Sequence, residues 1–317
     1  MDIRRINNID IDEVKWNQVI KEAYNSTPYG YAWYLNAVCD NWDALIINDY
    51  EVVLPLPFVT KFGFKLYTQP ILSQQLGPFS KEAISENTIH LLFNNLPVSP
   101  WRLNLNLSTE ITVPKTHSFL NPVKRINQVI DLDQSMEEIE FKFNRSVRRN
   151  LKTGLENLGP LESLNDPKEV TEFYKNILKD KVNLDREAYK RTLTLFKVAA
   201  ENNMAQFYQI RHKKSGLPVC KGAVILDDKR VINLFSTSLK TKDAKGAATI
   251  YIYLLLQKFQ SEKKVFDFEG SNIPEINKFF TSFGAETTYY YSIDKMHPLL
   301  KLVYKAKVYL RTRKIKG

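Results

Sequence analysis

The pattern of hydrophobic and polar positions is clearest in the second half of the chain. Ser135 and Glu138 have the spacing of a helix capping box and precede apolar residues at helical intervals. Those apolar residues are Ile139, Phe143, Val147, Leu151, Leu155 and Leu158. The opposite arc is basic and consists of Lys142, Arg145, Arg148, Arg149 and Lys152. The pattern predicts one amphipathic helix over residues 135–158 with a cationic outer face.

Further elements in this half alternate between helix and strand. Two more helices are predicted, one after Asp166 and Pro167 and one from Asp185. Stretches rich in β-branched and aromatic residues predict strands: MAQFYQIR, PVCKGAVIL, RVINLFSTS, KKVFDFEG and TTYYYSI. The Asp-Asp pair between the second and third of these indicates a hairpin. Before the fourth, the polar loop TKDAKGAAT leads into a long apolar helix.

The first half has a similar order of elements. Asp10 and Glu13 have the spacing of a helix cap, and YAWYLNAV predicts a second helix. The later predicted elements are the strands DALIIND and EVVLPLPFV, the loop YTQPILSQQLGPF, a helix in KEAISENTIHLLFNNL, and the strands WRLNLNLS and INQVIDL. Because both halves contain helices, a strand hairpin, a helix and further strands, we expect two related α/β domains, residues 1–134 and 135–317.

The predicted strand VFDFEG carries two carboxylates on one face. Side chains alternate between the faces of a strand, so Asp267 and Glu269 share a face with Val265. Phe266 and Phe268 occupy the other face and can pack on a helix. Two like charges on one face need water, cations or a polar ligand beside them. The acidic face is therefore a candidate wall of an active site.

Composition places the chain among globular proteins and excludes several classes. The 317 residues are 44% hydrophobic, 12% aromatic and 25% charged. No apolar run approaches the length of a membrane span, and the first residues lack a secretion segment, so the cytoplasm is the expected compartment. Cys39 and Cys220 are predicted to be buried thiols. The four histidines have no cysteine or carboxylate at metal-ligand spacing, and no metal site is expected.

The net charge indicates an anionic partner. A formal charge of +10 suits a phosphorylated cofactor, a nucleic acid or a membrane surface. The positive charge is concentrated in the predicted basic helix and in the tail KLVYKAKVYLRTRKIKG. The tail alternates apolar with basic residues, as an interfacial helix does, which suggests peripheral contact with an anionic surface. A solvated C-terminal helix is the alternative.

Three stretches resemble the acyl-CoA N-acyltransferase (GNAT) family. They are the basic helix NRSVRRNLKTG, the loop and helix LKTKDAKGAATIYIYLLLQ, and FDFEGSNIPEINKFFTSFGAE. The whole chain resembles the FemAB-like branch, in which two such domains stand in tandem. The resemblance implies an α/β (α+β) fold of two GNAT-like domains, each a mixed central sheet flanked by helices. It also implies transfer of an acyl group to the amine of a small molecule or peptide in the cleft between the domains.

The loop KDAKGAAT is the predicted donor site. A helix N-terminus offers free N–H groups and a partial positive charge, which suit phosphate. Gly246 and Ala247 let the backbone approach a pyrophosphate closely. Lys242 and Lys245 add positive charge, and the stretch ends at Thr249. Similar families bind the diphosphate of coenzyme A at such a junction, which implies acetyl-CoA or a longer acyl-CoA as co-substrate. A helix that merely begins after a polar turn is the alternative.

Acyl transfer to an amine needs a base, directly or through water, and donors for the oxyanion. Glu269 and Asp267 are the candidate bases, and anchoring of the following loop is the alternative role for each. Tyr290 is either a packing residue of its strand or, as in similar enzymes, an acid that protonates the leaving thiolate. Ser271 and Asn272 at the end of the strand are candidate substrate ligands.

A polar loop in the first half is a candidate acceptor site. Its side chains are Tyr67, Gln69, Gln74 and Gln75. The loop is expected to reach the interface between the domains, where ligand sites often form. A solvated connection between two strands is the alternative.

Two further functions stay open. FemAB-like ligases move an amino acid from aminoacyl-tRNA to a peptidoglycan precursor, and Arg145 and Arg149 of the basic helix would suit a tRNA backbone. The sequence lacks the long charged helical arm expected of the peptidoglycan members. The other function is non-catalytic binding of a nucleic acid or a membrane surface through the basic residues.

Overall fold

A computed structural model describes residues 1–61, 63–97, 101–178 and 186–302. The α-helices are α1 (Glu13–Glu22), α2 (Ala32–Val38), α3 (Glu86–Asn94), α4 (Met136–Phe141), α5 (Arg145–Asn157), α6 (Lys168–Leu178), α7 (Arg186–Glu201), α8 (Ala247–Phe259) and α9 (Pro274–Thr281). The strands are β1 (Ile3–Asn7), β2 (Asn41–Ile47), β3 (Val52–Lys61), β4 (Phe64–Tyr67), β5 (Phe79–Ser80), β6 (Arg102–Asn106), β7 (Pro122–Asp131), β8 (Glu162–Leu164), β9 (Ala205–Arg211), β10 (Pro218–Leu226), β11 (Arg230–Ser238), β12 (Val265–Asp267) and β13 (Glu286–Met296). Most of the predicted basic tail, and Asp185, lie outside the described residues.

The chain forms two compact units. Unit 1 comprises residues 1–124 and 290–317, and unit 2 comprises residues 125–289. These limits differ from the predicted domains. β7 belongs largely to unit 2 because it pairs with β12, and the later part of β13 belongs to unit 1 because it pairs with β6. The division into domains at residue 134 stays a prediction.

Unit 1 contains strands in the order β1-β2-β3-β4-β6-β13, and β5 pairs with β3. The pairs are antiparallel except β4 and β6, which are parallel. The first seven residues of β3 are all buried, as in a strand covered on both faces. Helix α1 provides part of this cover, because Trp16 packs on Trp42 of β2 with ring centroids 4.9 Å apart.

Unit 2 contains strands in the order β7-β12-β11-β10-β9-β8, with helices on both faces. β11 and β12 are parallel, and the other pairs are antiparallel. On one face, Phe207 of β9 lies 5.5 Å from Phe196 of α7, measured between ring centroids. On the other face, the adjacent Tyr208 lies 6.5 Å from Phe259 of α8. The long apolar helix α8 therefore forms the core of this second face.

The helix predicted over residues 135–158 is two helices. The predicted capping box is present: Glu138 N–H donates to Ser135 Oγ, and Ser135 N–H donates to the Glu138 carboxylate. The helix ends after Phe141, and Asn144 starts α5 by accepting the Val147 N–H at 3.0 Å. An asparagine side chain competes in this way with the helix backbone. The prediction of one continuous helix was wrong. Phe143 lies between the two helices but is buried like the apolar residues of both, so the hydrophobic pattern gave no sign of the break.

Most predicted strands are confirmed, and so is the hairpin. Asp227 Oδ1 accepts the N–H groups of Lys229 and Arg230, which holds the turn between β10 and β11. The short strands β1, β4, β5 and β8 were not predicted. The first helix is capped by Asp12 and not by Asp10, because Asp12 Oδ1 accepts the N–H groups at the helix start.

Cys39 and Cys220 are buried free thiols, as predicted. Burial raises the pKa of the Cys220 thiol. Within the described ranges, no three His, Cys, Asp or Glu side chains are grouped so that they could hold a metal ion. In the same ranges, no helix combines the length and hydrophobicity needed to cross a bilayer.

Candidate functional site

A pocket of about 480 Å³ lies in unit 2 where α8 begins. It is lined by the end of β11, the following loop, the first turn of α8 and one residue of α5. The lining residues are Asn150, Ser238, Leu239, Lys240, Thr241, Lys242, Ala244, Lys245, Gly246, Ala247, Ala248 and Thr249. The structure thus brings together the five predicted donor-site residues: Lys242, Lys245, Gly246, Ala247 and Thr249. Their binding of a donor stays a prediction.

The first turn of α8 presents backbone N–H groups at this pocket. Gly246 is the N-cap and has φ of +81°, a left-handed conformation that favours glycine. Within the described residues, no side chain caps the helix. The first N–H groups of a helix have no partner inside the helix, and they carry its partial positive charge. The start of α8 is therefore suited to an anion.

Three lysines add positive charge to the same pocket. Lys240, Lys242 and Lys245 line it, and all three are exposed. The acidic Asp243 is exposed but is not among the lining residues. A diphosphate placed here would meet N–H donors and ammonium groups together. Lys240 was not predicted because it precedes the loop motif that drew attention to the junction.

The basic helix α5 adjoins the pocket. Asn150 Nδ2 donates to Thr249 Oγ1 at 3.3 Å. The two helices approach closely because α5 has glycine at the contact: a Cβ on Gly154 would lie 2.5 Å from Ile250 Cγ1. Asn150 was not predicted from the sequence, because it belongs to neither the apolar nor the basic face of the helix and matches no motif.

The cations of α5 have different roles. Arg145 and Arg149 are exposed, as is Lys152. Arg148 instead donates to the carbonyl oxygens of Phe141 at 2.8 Å and Phe143 at 2.9 Å. Arg148 therefore caps the C-terminal end of α4 at the bend between the two helices.

β11 has an open edge that leads towards the pocket. β12 pairs with β11 only at Arg230–Ile232, and the chain then follows β7, since Phe268 N–H donates to the Gln128 carbonyl at 3.0 Å. In the β10–β11 ladder, Asn233 and Leu234 both lie opposite Val224. This arrangement of two residues opposite one is a β-bulge. Bulges are frequent beside active sites because they interrupt the hydrogen-bond ladder. From the bulge to Ser238, no described strand pairs with this edge of β11.

The acidic stretch differs from its prediction. β12 ends at Asp267, and Glu269 has φ of +58°, so the expectation that both carboxylates lie on one strand face is wrong. Asp267 is 2% exposed; its Oδ2 accepts from Arg230 at 2.6 Å, and its Oδ1 accepts the Glu269 N–H at 2.8 Å. These contacts favour the alternative in which Asp267 anchors the loop. The catalytic roles of both carboxylates stay predictions.

The loop after β12 is held by polar groups of β7. Ser271 N–H donates to Gln128 Oε1 at 3.2 Å, and Gln128 Nε2 donates to Asn277 Oδ1 at 2.8 Å. Asn272 is exposed. Asn127 donates to Asp267 at 3.3 Å. Sequence reasoning missed Asn127 and Gln128 because they lie far from this loop along the chain.

The acidic stretch does not line the pocket. Asp267 pairs with Ile232, and Ser238 follows six residues later on β11, roughly 20 Å away at ~3.3 Å per residue. Glu269, Ser271 and Asn272 are also not lining residues. The predicted donor residues therefore share one site, and the predicted bases lie beside another part of β11.

Asp267→Asn is expected to lower the free energy of unfolding by about 2 to 3 kcal/mol, because it breaks a buried ion pair and leaves Arg230 without its carboxylate. Chemical denaturation measures the loss. Asp228→Asn, in the exposed hairpin turn, is the matched control and should stay within about 0.5 kcal/mol of wild type. Equal stability of the two variants would contradict the anchoring role.

The predicted acceptor residues of unit 1 make internal hydrogen bonds. Tyr67 Oη donates to Asp43 Oδ2 at 2.6 Å, and burial together with this bond raises the pKa of Tyr67. Gln69 Nε2 donates to the Ser73 carbonyl at 2.9 Å, and Gln69 Oε1 accepts the Asn106 N–H at 2.9 Å. Both residues thus contribute to the folding of unit 1.

Gln74 and Gln75 continue this network. Gln75 Nε2 donates to Gln74 Oε1 at 2.8 Å, and Gln75 Oε1 accepts the Thr109 N–H at 2.9 Å. Both glutamines are buried, at 9% and 3% exposure. The alternative of a solvated connection was therefore wrong. Acceptor binding by the four loop residues stays a prediction.

Tyr290 lies in β13 and is 7% exposed, whereas the preceding Tyr289 is 46% exposed. This alternation fits the interpretation that the tyrosines pack in a strand. The role of Tyr290 as an acid stays a prediction.

These features together define a class by fold: a mixed α/β protein in which a strand is followed by a helix whose start has no side-chain cap among the described residues, and then by a strand that diverges from the first. Comparisons with protein families and with curated proteins give no match to the sequence. Solved structures are similar. FemX gives a TM-score of 0.66 at 10% identity, over 96% of this chain and 100% of that one.

Two other solved structures have the same fold. The C-terminal domain of a putative lysylphosphatidylglycerol synthetase from Agrobacterium fabrum gives a TM-score of 0.56 at 9% identity, over 95% of this chain and 97% of that one. A tandem GNAT protein from the clavulanic acid biosynthesis pathway gives a TM-score of 0.50 at 11% identity, over 92% of this chain and 98% of that one. The predicted fold class, GNAT-like with FemAB-like relatives, is confirmed.

Proposed function

We propose that the protein is an acyltransferase that binds the phosphates of its donor at the start of α8 and transfers the acyl group to an amine. One observation carries this proposal: the pocket of about 480 Å³ joins an uncapped helix N-terminus to three lysines. Either feature alone attracts anions weakly, but together they offer directed N–H donors and mobile charge. The GNAT-like fold supports the same function.

The donor that fits best is an acyl-CoA, acetyl-CoA or longer. Its diphosphate would lie at Gly246 and Ala247, within reach of Lys242 and Lys245. The remainder of the donor is linear and contains amide groups, and an extended chain of that kind can pair with an open strand edge. The edge of β11 from Asn233 to Ser238 offers such groups. At the bulge, backbone N–H groups released from the ladder are candidates for the oxyanion site.

Among the candidate bases, Glu269 is the stronger. Asp267 is buried, and both of its oxygens accept hydrogen bonds, so proton uptake would disrupt its ion pair. Glu269 is half-buried at the turn after β12. A water molecule would have to carry the proton from the amine, because Glu269 does not line the pocket.

The donor is tested by thermal shift and calorimetry with coenzyme A, acetyl-CoA, a long-chain acyl-CoA and total tRNA. We expect the three coenzyme A compounds to raise the melting temperature, since a ligand that binds only the folded state stabilises it. Failure of all three to bind would contradict the proposal. The acceptor, a small-molecule or peptide amine, would then be sought by acyl transfer from the donor that binds best.

A second candidate function is aminoacyl transfer from tRNA. It is favoured by the exposed cations of α5, which adjoin the pocket through Asn150. A polynucleotide backbone could extend from the pocket along this helix. The predicted compartment and the peripheral contact of the tail with anionic surfaces stay predictions.

Neutralising Arg145, Arg149 and Lys152 to glutamine separates the two donors. If tRNA phosphates lie along α5, the slope of log affinity against log salt should fall by about 0.7 to 0.9 per neutralised contact. Arg148 must be kept, because it caps α4. Coenzyme A affinity should change little.

The matched control neutralises Lys190, Lys197 and Lys264, which are also exposed in unit 2. An equal loss in both triple variants would mean that tRNA responds only to net charge. No tRNA binding by wild type would remove the second function.

A further inference from the structure

Two buried polar atoms without hydrogen-bond partners lie near the open edge of β11. Asn233 is 6% exposed, and its Oδ1 has no partner among the described residues. Tyr251 of α8 is fully buried, and its Oη is likewise unpartnered within the described chain. Buried polar atoms of folded proteins are almost always hydrogen-bonded, so both positions call for an explanation. One explanation is a ligand that supplies the missing hydrogen-bond partner.

Both residues belong to one polar cluster on the α8 face of the sheet. Gly222 of β10 faces Tyr251 so closely that a Cβ there would lie 2.3 Å from Tyr251 Oη. Gly222 pairs across the sheet with Ser236, so the Ser236 side chain points to the same face. Asn233 Nδ2 lies 3.5 Å from Ser236 Oγ. The cluster therefore consists of Asn233, Ser236 and Tyr251 around a glycine.

The cluster continues into the pocket. Ser236 and Ser238 are two residues apart on β11 and so share a face, and Ser238 lines the pocket. Ser236 is exposed, whereas Asn233 is buried. Asn233 is also the first residue of β11 after the three that pair with β12. A molecule extending from the pocket along β11 would thus reach Asn233 where the two strands diverge.

Building on the proposed acyl transfer, we propose that Asn233 holds the attacking amine of the acceptor. Its Oδ1 accepts one N–H of the amine, while its Nδ2 stays near Ser236. This hydrogen bond aims the nitrogen lone pair at the thioester carbonyl of the donor. The C–N bond forms and the C–S bond breaks, and the proton lost by the amine passes through water to Glu269 and from there to the departing thiolate.

The chemistry of the cluster suits a neutral amine. Burial raises the pKa of the Tyr251 phenol well above its ordinary value, so the phenol stays uncharged. The amide of Asn233 and the hydroxyl of Ser236 are also uncharged. The cluster therefore offers hydrogen bonds without a carboxylate that would favour the protonated, non-nucleophilic ammonium form.

The test uses acetyl-CoA as donor and hydroxylamine as a small probe acceptor, with hydroxamate formation as the readout. Asn233→Leu keeps the volume but removes the acceptor atom, and it should lower kcat/KM for hydroxylamine by roughly 10-fold to 10²-fold. Coenzyme A affinity by calorimetry should be unchanged. Asn233→Asp, whose carboxyl has the shape of the amide, should restore part of the rate, because it keeps an acceptor oxygen and because hydroxylamine is too weak a base to be held as its cation at neutral pH.

Asn165→Leu is the matched control, since it makes the same substitution at an exposed asparagine outside β11 and the pocket. It should change neither rate nor coenzyme A affinity. Wild-type turnover in Asn233→Leu, or equal loss of coenzyme A affinity and rate, would overturn the role of Asn233 alone. Absence of hydroxamate formation by a wild type that binds coenzyme A would also overturn it. Absence of coenzyme A binding by wild type would instead overturn the proposed function.

Discussion

Ala248→Asp should lose coenzyme A binding by at least roughly 10²-fold while the ligand-free protein keeps its stability. Ala248 lies in the first turn of α8 and lines the pocket, so the new carboxylate would stand beside the proposed diphosphate. Like charges about 4 Å apart near a protein surface repel by about 4 kcal/mol. The same carboxylate favours the helix N-terminus in the absence of ligand, so the melting temperature should hold or rise slightly.

Calorimetry with coenzyme A measures the affinity, and Ala248→Asn is the control because it has the same shape without the charge. The Ala248→Asn variant should bind coenzyme A far more tightly than the Ala248→Asp variant. A higher salt concentration should reduce this difference in affinity, because salt screens the repulsion between the charges. Equal affinities of the two variants would show that no phosphate lies at this turn. Position 246 is unsuitable for this experiment, since a side chain at φ of +81° would strain the backbone even without ligand.

Gly270→Ala should destabilise the protein by about 3 kcal/mol. Gly270 has φ of +52°, and a Cβ there would lie 2.5 Å from Asn127 Cα and 2.6 Å from the Ile126 carbonyl oxygen. Backbone strain contributes about 1 kcal/mol, and the clash with the backbone of β7 contributes the remainder. Repacking cannot relieve this clash, because backbone atoms of a paired strand do not move aside.

Gly216→Ala is the matched control. Gly216 also has a positive φ, +67°, but a Cβ there would meet no atom within 4 Å. Gly216→Ala should therefore lower the free energy of unfolding only by the backbone strain, about 1 kcal/mol. Chemical denaturation of both variants measures the difference. Equal losses would mean that the contact between the loop after β12 and β7 is not tight in solution.

The grouping of residues at the start of α8 could be predicted from sequence because it is local. A helix start, a glycine and nearby lysines are consecutive in the chain, and Lys242, Lys245 and Gly246 need no distant residue to come together. The apolar run after them identifies α8 by length alone. Asn150 could not be predicted, since its contact with Thr249 depends on how two helices pack.

The position of the two carboxylates could not be predicted, because it depends on contacts with residues that are distant in the sequence. Alternation assumed that the strand continued to Glu269, but β12 ends two residues earlier. The charge of Asp267 is balanced by Arg230, which lies on a neighbouring strand, and a sequence does not show which cation faces a carboxylate across a sheet. Periodicity likewise could not show that Asn144 divides α4 from α5, since both helices keep their apolar residues in phase.

The open edge of β11 also bears on solubility. An unpaired strand edge is a template on which another polypeptide can add a strand, and proteins restrict this by keeping such edges short and polar. Here the edge runs only from Asn233 to Ser238, its later side chains carry hydroxyl groups, and Lys240 and Lys242 follow at its end. An incoming peptide would have to approach these cations, whereas an anionic ligand would be drawn to them. The two lysines are therefore expected to disfavour the addition of a strand from a second polypeptide at this edge.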